Sequence, residues 1–339
     1  MNVLLTCAGR RNYLVEYFQQ ALNGRGQVYA ADASPYASAL QAADHAFIVP
    51  SVDQAGYVEH LLDLCATQQV SLLISLNDLE LPMLAPRREE FRAVGTMLVV
   101  SAPEVIATCF DKWAMLPFLE ACQLSGPQTH LTLSGAQKAL ALGTMQFPLV
   151  IKPRWGTASL CIEYAHDLEE LEIAYRLVTR RVQRSIIAGV SSVDSGATVL
   201  IQERLTGQEY GLDIINDLAG NYVSTIVRRK LAMRSGETDK AMLVDDERLC
   251  ALGKTLSHAL GHIGNLDCDV FVDGSRYTIL DMNPRFGGGY PFSHVAGVNL
   301  PAALLAWTNG TPPDPNWFVA KPGVVGAKYD HIAIVTTQA

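Results

Sequence analysis

Residues 264–297 read GNLDCDVFVDGSRYTILDMNPRFGGGYPFSHVAG. Two apolar-rich runs, 268–272 and 277–282, flank Asp273-Gly274, the turn signal of a β-hairpin. Side chains alternate across a strand, so Asp267, Asp269 and Phe271 share one face. On the second run Ile279, Asp281 and Asn283 share one face. Where those faces coincide in the hairpin, Asp269, Asp281 and Asn283 converge. Two carboxylates and an amide oxygen are hard ligands suited to Mg2+, which keeps positions open for phosphate oxygens. Arg285 lies two residues on, placed to face a phosphate or an acyl phosphate. The run Gly287 to Gly289 would let backbone amides approach an anion. A solvated hairpin explains this pattern poorly, because acids are depleted inside strands.

Outward from the hairpin, residues 146–152 read as a strand ending at Lys152, followed by the loop Arg154-Trp155-Gly156-Thr157-Ala158-Ser159. Residues 198–202 form another strand, ending in Glu203-Arg204-Leu205. Residues 210–216 and 222–228 pattern as a hairpin around 217–220, and 247–263 as an amphipathic helix. Residues 125–135, SGPQTHLTLSG, are rich in turn formers and read as a linker. Before them the chain alternates. Strands are expected at 3–5, 28–31, 47–49, 72–75 and 97–100, and helices at 12–23 and 57–66. Such alternation predicts an α/β unit with a mostly parallel sheet covered on both faces. The turn after the first strand, TCAGRRN, lacks G-x-G-x-x-G. Asp32 stands where a ribose-binding acid would sit, but without those glycines an NAD site is not expected.

The 339 residues suggest two or three domains. Hydrophobic residues make up 49% and charged ones 18%, the balance of a folded enzyme rather than a disordered chain. Lys and Arg total 26 against 34 Asp and Glu, a net −8. That disfavours a nucleic-acid or anionic-lipid surface, and leaves room for a local basic pocket. The seven cysteines form no C-x-x-C pair, so they read as thiols in a reducing cytoplasm rather than as a zinc site. The N-terminal apolar run is broken by Arg10-Arg11 and reads as a first strand, not a signal peptide. No apolar run is long enough to span a membrane.

The segment DMNPRFGGG resembles the E-x-N-P-R-x-x-G signature of the ATP-grasp superfamily. FPLVIKPRWGTAS resembles its lysine-bearing strand and phosphate loop, VLIQERLTGQEYGLD its adenine-hinge strand, and CFDKWAM its upstream Asp-Lys helix. Four motifs in order make the match specific, and it covers about residues 1–310. The nearest subgroup is similar to the carbamoyl phosphate synthase large subunit and stand-alone amino-acid ligases. The resemblance implies a Rossmann-like pre-ATP-grasp domain at 1–110. It implies an ATP-grasp fold of two α+β lobes after it: 111–205 with the lid, and 206–339 with the metal site. Carried over residue by residue, Lys112 and Lys152 contact ATP phosphates, and Gly156, Thr157, Ala158 and Ser159 form the closing loop. Glu203, Arg204 and Leu205 hold the adenine edge, and Glu209 binds ribose. Asp269, Asp281 and Asn283 bind Mg2+, or Mn2+ in its place, and Arg285 stabilises the transferred phosphoryl group.

The chain departs from the family pattern at Asp281, where glutamate is commoner, and at Trp155, which enlarges the loop. Pro117 falls in the Asp-Lys helix, which it should kink or end. A second basic cluster contains Arg228, Arg229, Lys230, Arg234 and Lys240. Lys230 or Arg234 is expected to face the γ-phosphate or a substrate carboxylate; the alternative is a solvated edge strand. Arg10, Arg11, Asp78, Glu80, Ser293 and His294 are further candidates for the second substrate, with His294 more often structural in such a setting. The implied activity is ATP-dependent ligation of a small carboxylate to an amine, both expected to be amino-acid-like, through an acyl phosphate, in the cytoplasm. Two rivals are a carboxyphosphate or carbamoyl-phosphate synthase and an ATP-binding scaffold without turnover. A homodimer is the default assembly.

Overall fold

The computed structural model describes residues 1–156 and 160–335. Thr157, Ala158 and Ser159, expected in the phosphate loop, lie outside the described residues. The first sheet contains β1 (Asn2–Thr6), β2 (Val28–Asp32), β3 (His45–Ile48), β4 (Val70–Ser75) and β5 (Met97–Val99). All pairs are parallel, in the order β3-β2-β1-β4-β5. Helices cover both faces, which is why Val3, Leu4, Leu5, Leu72 and Leu73 form unbroken apolar runs without alternation. The strand order reverses between β1 and β4, so the loops after them open onto one crevice. Asp32 holds the first of these loops in place, accepting from Gly9 N at 2.8 Å and Ser34 N at 2.9 Å. Its carboxylate is thus committed to the backbone.

The second sheet is small: β6 (Thr129–His130), β7 (Leu149–Pro153), β8 (Glu163–Ala165) and β9 (Val199–Glu203), in the order β6-β9-β7-β8. Residues 125–135 are therefore not a plain linker. They hold β6 and the start of helix Leu133–Ala141, whose N-cap Thr132 accepts from Gly135 N. The turn formers there cap a helix rather than loosen the chain.

The third sheet runs β14-β13-β10-β11-β12-β15: β10 (Gln208–Asn216), β11 (Tyr222–Arg234), β12 (Glu237–Val244), β13 (Gly264–Asp273), β14 (Arg276–Asn283) and β15 (Val325–Ala327). Helix Glu247–Leu260 lies against it. Asp246 caps its start, accepting from Arg248 N and Leu249 N, and Leu249, Leu252, Leu256 and Leu260 turn inward at helical spacing. Elsewhere on this sheet Ile215, Ile226, Ala241 and Leu243 share one core with Leu5, Leu72 and Ile74 of the first sheet and with Phe286 and Tyr290. That shared core carries the β1 loop to the β13–β14 hairpin. No helix among the described residues is long and apolar enough to cross a membrane.

Two local expectations change. No continuous Asp-Lys helix exists: helix Pro103–Phe110 stops before Asp111 and helix Met115–Ala121 follows. Pro117 sits in the first turn of the second helix, where an N–H has no intrahelical partner to lose. In the hairpin, a register shift between Asp269 and Val270 makes Val270 face Ile279. Ile279 therefore enters the core, and Leu280 joins the cleft wall instead.

Candidate active site

The second and third sheets bound a cleft of about 650 Å3, within the usual size of small-molecule sites. On its β13–β14 side, register pairs Asp269 with Asp281 and Asp267 with Asn283. Like charges directly opposite on a sheet repel, so this face requires cations. Lys112 supplies one, its Nζ lying 3.3 Å from Asp281 Oδ1. Asp281 Oδ1 is nevertheless buried without a hydrogen-bond partner. Among the described residues no group of three His, Cys, Asp or Glu side chains converges on one point. The protein thus offers two carboxylates and one amide oxygen, an incomplete oxygen cage. This donor set and the orphaned oxygen fit Mg2+ sharing its coordination with phosphate.

Lys112 and Lys152 are brought together by an ion pair. Arg154 closes a two-pronged contact on Asp111, Nε to Oδ1 at 2.8 Å and Nη2 to Oδ2 at 2.7 Å. This ties the segment before Lys112 to the end of β7, which carries Lys152. Lys112 Nζ also donates to Gly156 O at 3.0 Å. Burial, and then the Lys112 charge, bring the Lys152 ammonium down to about 8. Two buried ammonium groups side by side make a site for a polyanion.

Glu203, Arg204, Leu205 and Glu209 line the same cleft. Glu203 accepts from Gln128 N at 2.8 Å and pairs with Arg276 at 2.6 Å, so its side chain braces the crossing between sheets. Lys230 also reaches the cleft, but it is no free cation. Its Nζ lies 2.6 Å from both Glu209 and Asp269. It fixes those two carboxylates rather than waiting for phosphate, and β11 is an interior strand, not a solvated edge. Burial, then the charges of Asp267 and Glu209, outweigh Lys230 and raise the Asp269 carboxyl above its ordinary range.

Arg234 is not brought into the cleft. Register shifts between Lys230 and Met233 turn the strand, and Arg234 faces outward to Asp239 at 3.0 Å and Asp330 at 2.7 Å. Arg285 does line the cleft, pairing with Asp78 at 2.7 Å and Asp267 at 3.3 Å. Burial opposes its charge, and these two acids outweigh burial and raise its pKa. Asp267 is shared, since Arg228 also approaches it at 3.3 Å. Glu80 plays a different part. It is fully buried and accepts from the hydroxyls of Thr6, Tyr57 and Ser75 at 2.6–2.7 Å. Burial raises its carboxyl, and it ties β1 to β4. His294 stacks on Tyr17 with ring centroids 3.5 Å apart, a packing role.

The glycine run leaves room for neighbouring side chains. A Cβ on Gly287 would lie 2.1 Å from Asp267 Cγ, and one on Gly289 would lie 2.7 Å from Arg228 Nη2. Gly287→Ala is expected to cost about 1–3 kcal/mol through overpacking, and to push Asp267 off both arginines. Urea unfolding beside turnover checks this; wild-type values for both would refute the crowding argument.

Two family models match the chain. One described as "ATP-grasp in the biosynthetic pathway with Ter operon" matches residues 195–327, and one for the "PylC-like, N-terminal domain" matches residues 3–99. Residues 195–327 are thus similar to an ATP-grasp family model. A curated relative, the carbamoyl phosphate synthase large chain of Pseudomonas putida, is 21% identical over 74% of this chain; the match spans 23% of that protein. Among solved ATP-grasp structures, the biotin carboxylase domain dimer of Hydrogenobacter thermophilus 2-oxoglutarate carboxylase was determined with MgADP, ADP and bicarbonate. It aligns with TM-score 0.72 at 16% identity, over 92% of this chain and 70% of that one. An L-amino acid ligase from Bacillus licheniformis aligns with TM-score 0.65 at 19% identity, over 95% and 77%. At these identities the likeness establishes the ATP-grasp fold.

Proposed function

We propose that the chain is an ATP- and Mg2+-dependent carboxylate–amine ligase that releases ADP and phosphate. The observation that carries this reading is one cleft holding two buried lysines opposite two register-paired aspartates, with Arg285 beside them. Glu203, Arg204 and Leu205 hold the adenine edge, and Glu209, fixed by Lys230, takes the ribose. Lys112 and Lys152 neutralise phosphate oxygens. Asp269, Asp281 and Asn283 would hold Mg2+, which would supply charge neutralisation for the transferred phosphoryl group.

A substrate carboxylate oxygen attacks the γ-phosphorus, the bond to the β-phosphate oxygen breaks, and ADP leaves. The neutral amine then attacks the acyl carbon of the resulting acyl phosphate. The carbon–oxygen bond breaks, phosphate departs with the electron pair, and the amine's surplus proton passes to phosphate or solvent. Arg285 faces the charge that develops in both steps. The protein's contribution is positioning and charge neutralisation rather than covalent chemistry.

Phosphate release from ATP, screened with pooled carboxylates and amines and followed by mass spectrometry of the product, tests the proposal. Release that requires both an acid and an amine supports it. Release with bicarbonate alone marks carboxyphosphate chemistry, and nucleotide binding without release under any pool marks a scaffold. Asp281→Ala is expected to lower turnover at least about 100-fold, the scale of losing one preorganised charge contact at the reacting phosphates. Undiminished turnover removes Asp281 from the metal site.

A pH dependence follows from Lys152. Its pKa in the free protein is about 8, so it is charged below that value and neutral above it. A bound phosphate favours the charged form and raises that pKa, so affinity is full below pH 8 and falls as pH rises through it. The loss is about tenfold per pH unit at most. Calorimetric titration with ADP and Mg2+ from pH 7 to 9.5 should show this slope, and Lys152→Met should flatten it. A slope that survives the substitution assigns the titration to another group.

A further inference from the structure

Part of the cleft wall has no part in handling the nucleotide. Arg11, from the loop after β1, lines it together with Gly236, Glu237 and Gly288. The charges along the rest of the cleft are largely matched. Lys112 pairs with Asp281, Lys230 with Glu209 and Asp269, and Arg285 with Asp78 and Asp267. Glu237, the acid on this wall, pairs with Lys328 at 3.2 Å. Lys152 and Arg204 belong to the phosphates and the adenine edge. Arg11 is the remaining cation, and among the described residues no carboxylate forms an ion pair with it. Its Nη1 donates to Leu76 O at 2.8 Å, while its buried Nε has no hydrogen-bond partner among the described residues. Arg10, exposed beside it, adds a second positive charge within electrostatic reach of Glu237. The Tyr13 hydroxyl lies within electrostatic reach of both Arg11 and Arg285, so the two guanidinium groups face one region of the cleft.

We propose that Arg11 binds a second anionic group, a carboxylate or a phosphate, on the acid substrate whose other carboxylate is phosphorylated beside Arg285. The acid is then a dianion. The inference rests on the ligase reading and adds the class of the acid. A guanidinium anchored through one nitrogen still presents N–H donors along its other edge, and these match two oxygens of a carboxylate or phosphate. Lys328 neutralises Glu237, so that acid does not turn the anion away. A monoacid leaves the Arg11 charge unmatched. An acid whose far end carries an ammonium meets two arginines of its own sign. The wall thus selects by the charge at the end of the acid remote from the chemistry.

Hydroxylamine in place of the amine reads the acid alone. Its nitrogen attacks the acyl carbon of the acyl phosphate, the carbon–oxygen bond breaks, and phosphate leaves with the electron pair. A hydroxamate forms, and the surplus proton passes to phosphate. Malonate, succinate, glutarate and adipate are compared with their monomethyl esters and with 3-phosphonopropionate, in wild type, Arg11→Met and Arg11→Lys. Thermal shift with ADP and Mg2+ reads binding of the same compounds. In wild type a dianion is expected to exceed its monoester by at least about 30-fold in kcat/KM, the scale of losing one charge-assisted hydrogen bond. Preference for the phosphonate assigns the second group as phosphate, and preference for a dicarboxylate assigns it as carboxylate. Arg11→Met should keep the ADP shift, and its preference for the dianion should fall to about threefold or less. Arg11→Lys should restore part of it. A dianion that stabilises wild type but not Arg11→Met, without hydroxamate, leaves the subsite standing and removes the ligase reading. Monoesters that react as readily as dianions, or an unchanged preference in Arg11→Met, overturn the subsite and leave the ligase. Dianions that neither bind nor react also overturn the subsite. Should Arg11→Met fail to fold, the wild-type comparison of dianion with monoester decides alone.

Discussion

Arg285→Met is expected to lower turnover by about 100- to 1000-fold, the range seen when one preorganised donor to a developing oxyanion is removed. Nucleotide affinity should change far less, because Lys112 and Lys152 are separate from it. The geometry behind this is specific. Arg285 is held by two acids on different elements, Asp78 after β4 of the first sheet and Asp267 on β13. Its guanidinium is therefore oriented before substrate arrives and has little left to reorganise. Arg285→Lys keeps the charge but not the fork, and a single ammonium spans both acids poorly. It should recover only part of the loss. Single-turnover phosphate release gives the rate, and calorimetric ADP titration gives the affinity. An Arg285→Met rate within tenfold of wild type would assign transition-state charge to another group.

The hairpin was legible because strand alternation is a local property. Asp269, Asp281 and Asn283 follow from a period of two and one turn, and the register pairs Asp269 with Asp281 as that pattern implies. Leu280 was not legible, since a bulge depends on how the partner strand fits rather than on its own residue type. Arg234 shows the same limit. Counting by twos from Arg228 places it inward, and the irregular register after Lys230 turns it outward. Lys230 was recognised as a charge near the site, but its partners, Glu209 and Asp269, lie on other strands. The Asp78–Arg285 pair spans the chain from the first sheet to the last hairpin, and no periodicity encodes it. The available signal was the rule that ligand-facing groups gather at the carboxyl ends of parallel strands, which pointed to Arg11 and Asp78 without naming their contacts. Glu80 obeyed the same rule and turned inward, because three hydroxyls surround it.

The largest expected loss of stability comes from Arg228→Met, at about 3–5 kcal/mol, the usual result of stripping one partner from a buried ion pair. Arg228 is 1% exposed and its partner Asp213 is 0% exposed. Ser293 joins them, accepting from Arg228 at 2.9 Å and donating to Asp213 at 2.6 Å, and Asn265 donates to the other Asp213 oxygen at 3.1 Å. Methionine fills most of the volume but leaves Asp213 with hydroxyl and amide donors and no counter-charge. Burial already pushes the Asp213 carboxyl up and Arg228 opposes this, so the substitution raises it further. A carboxyl whose folded pKa exceeds its unfolded value is easiest to bury when protonated. The penalty is therefore smallest at acid pH and grows as pH rises, up to the folded pKa. Urea unfolding followed by circular dichroism should show a smaller deficit at pH 5 than at pH 8. Asp213→Asn in the same chain removes the charge that lost its partner and should recover most of the deficit. A double variant no more stable than Arg228→Met would place the loss in packing against Gly289 rather than in the stranded carboxylate. Activity supplies an independent check. Arg228 also holds Asp267, which holds Arg285, so the folded fraction of Arg228→Met should turn over more slowly even where stability is restored.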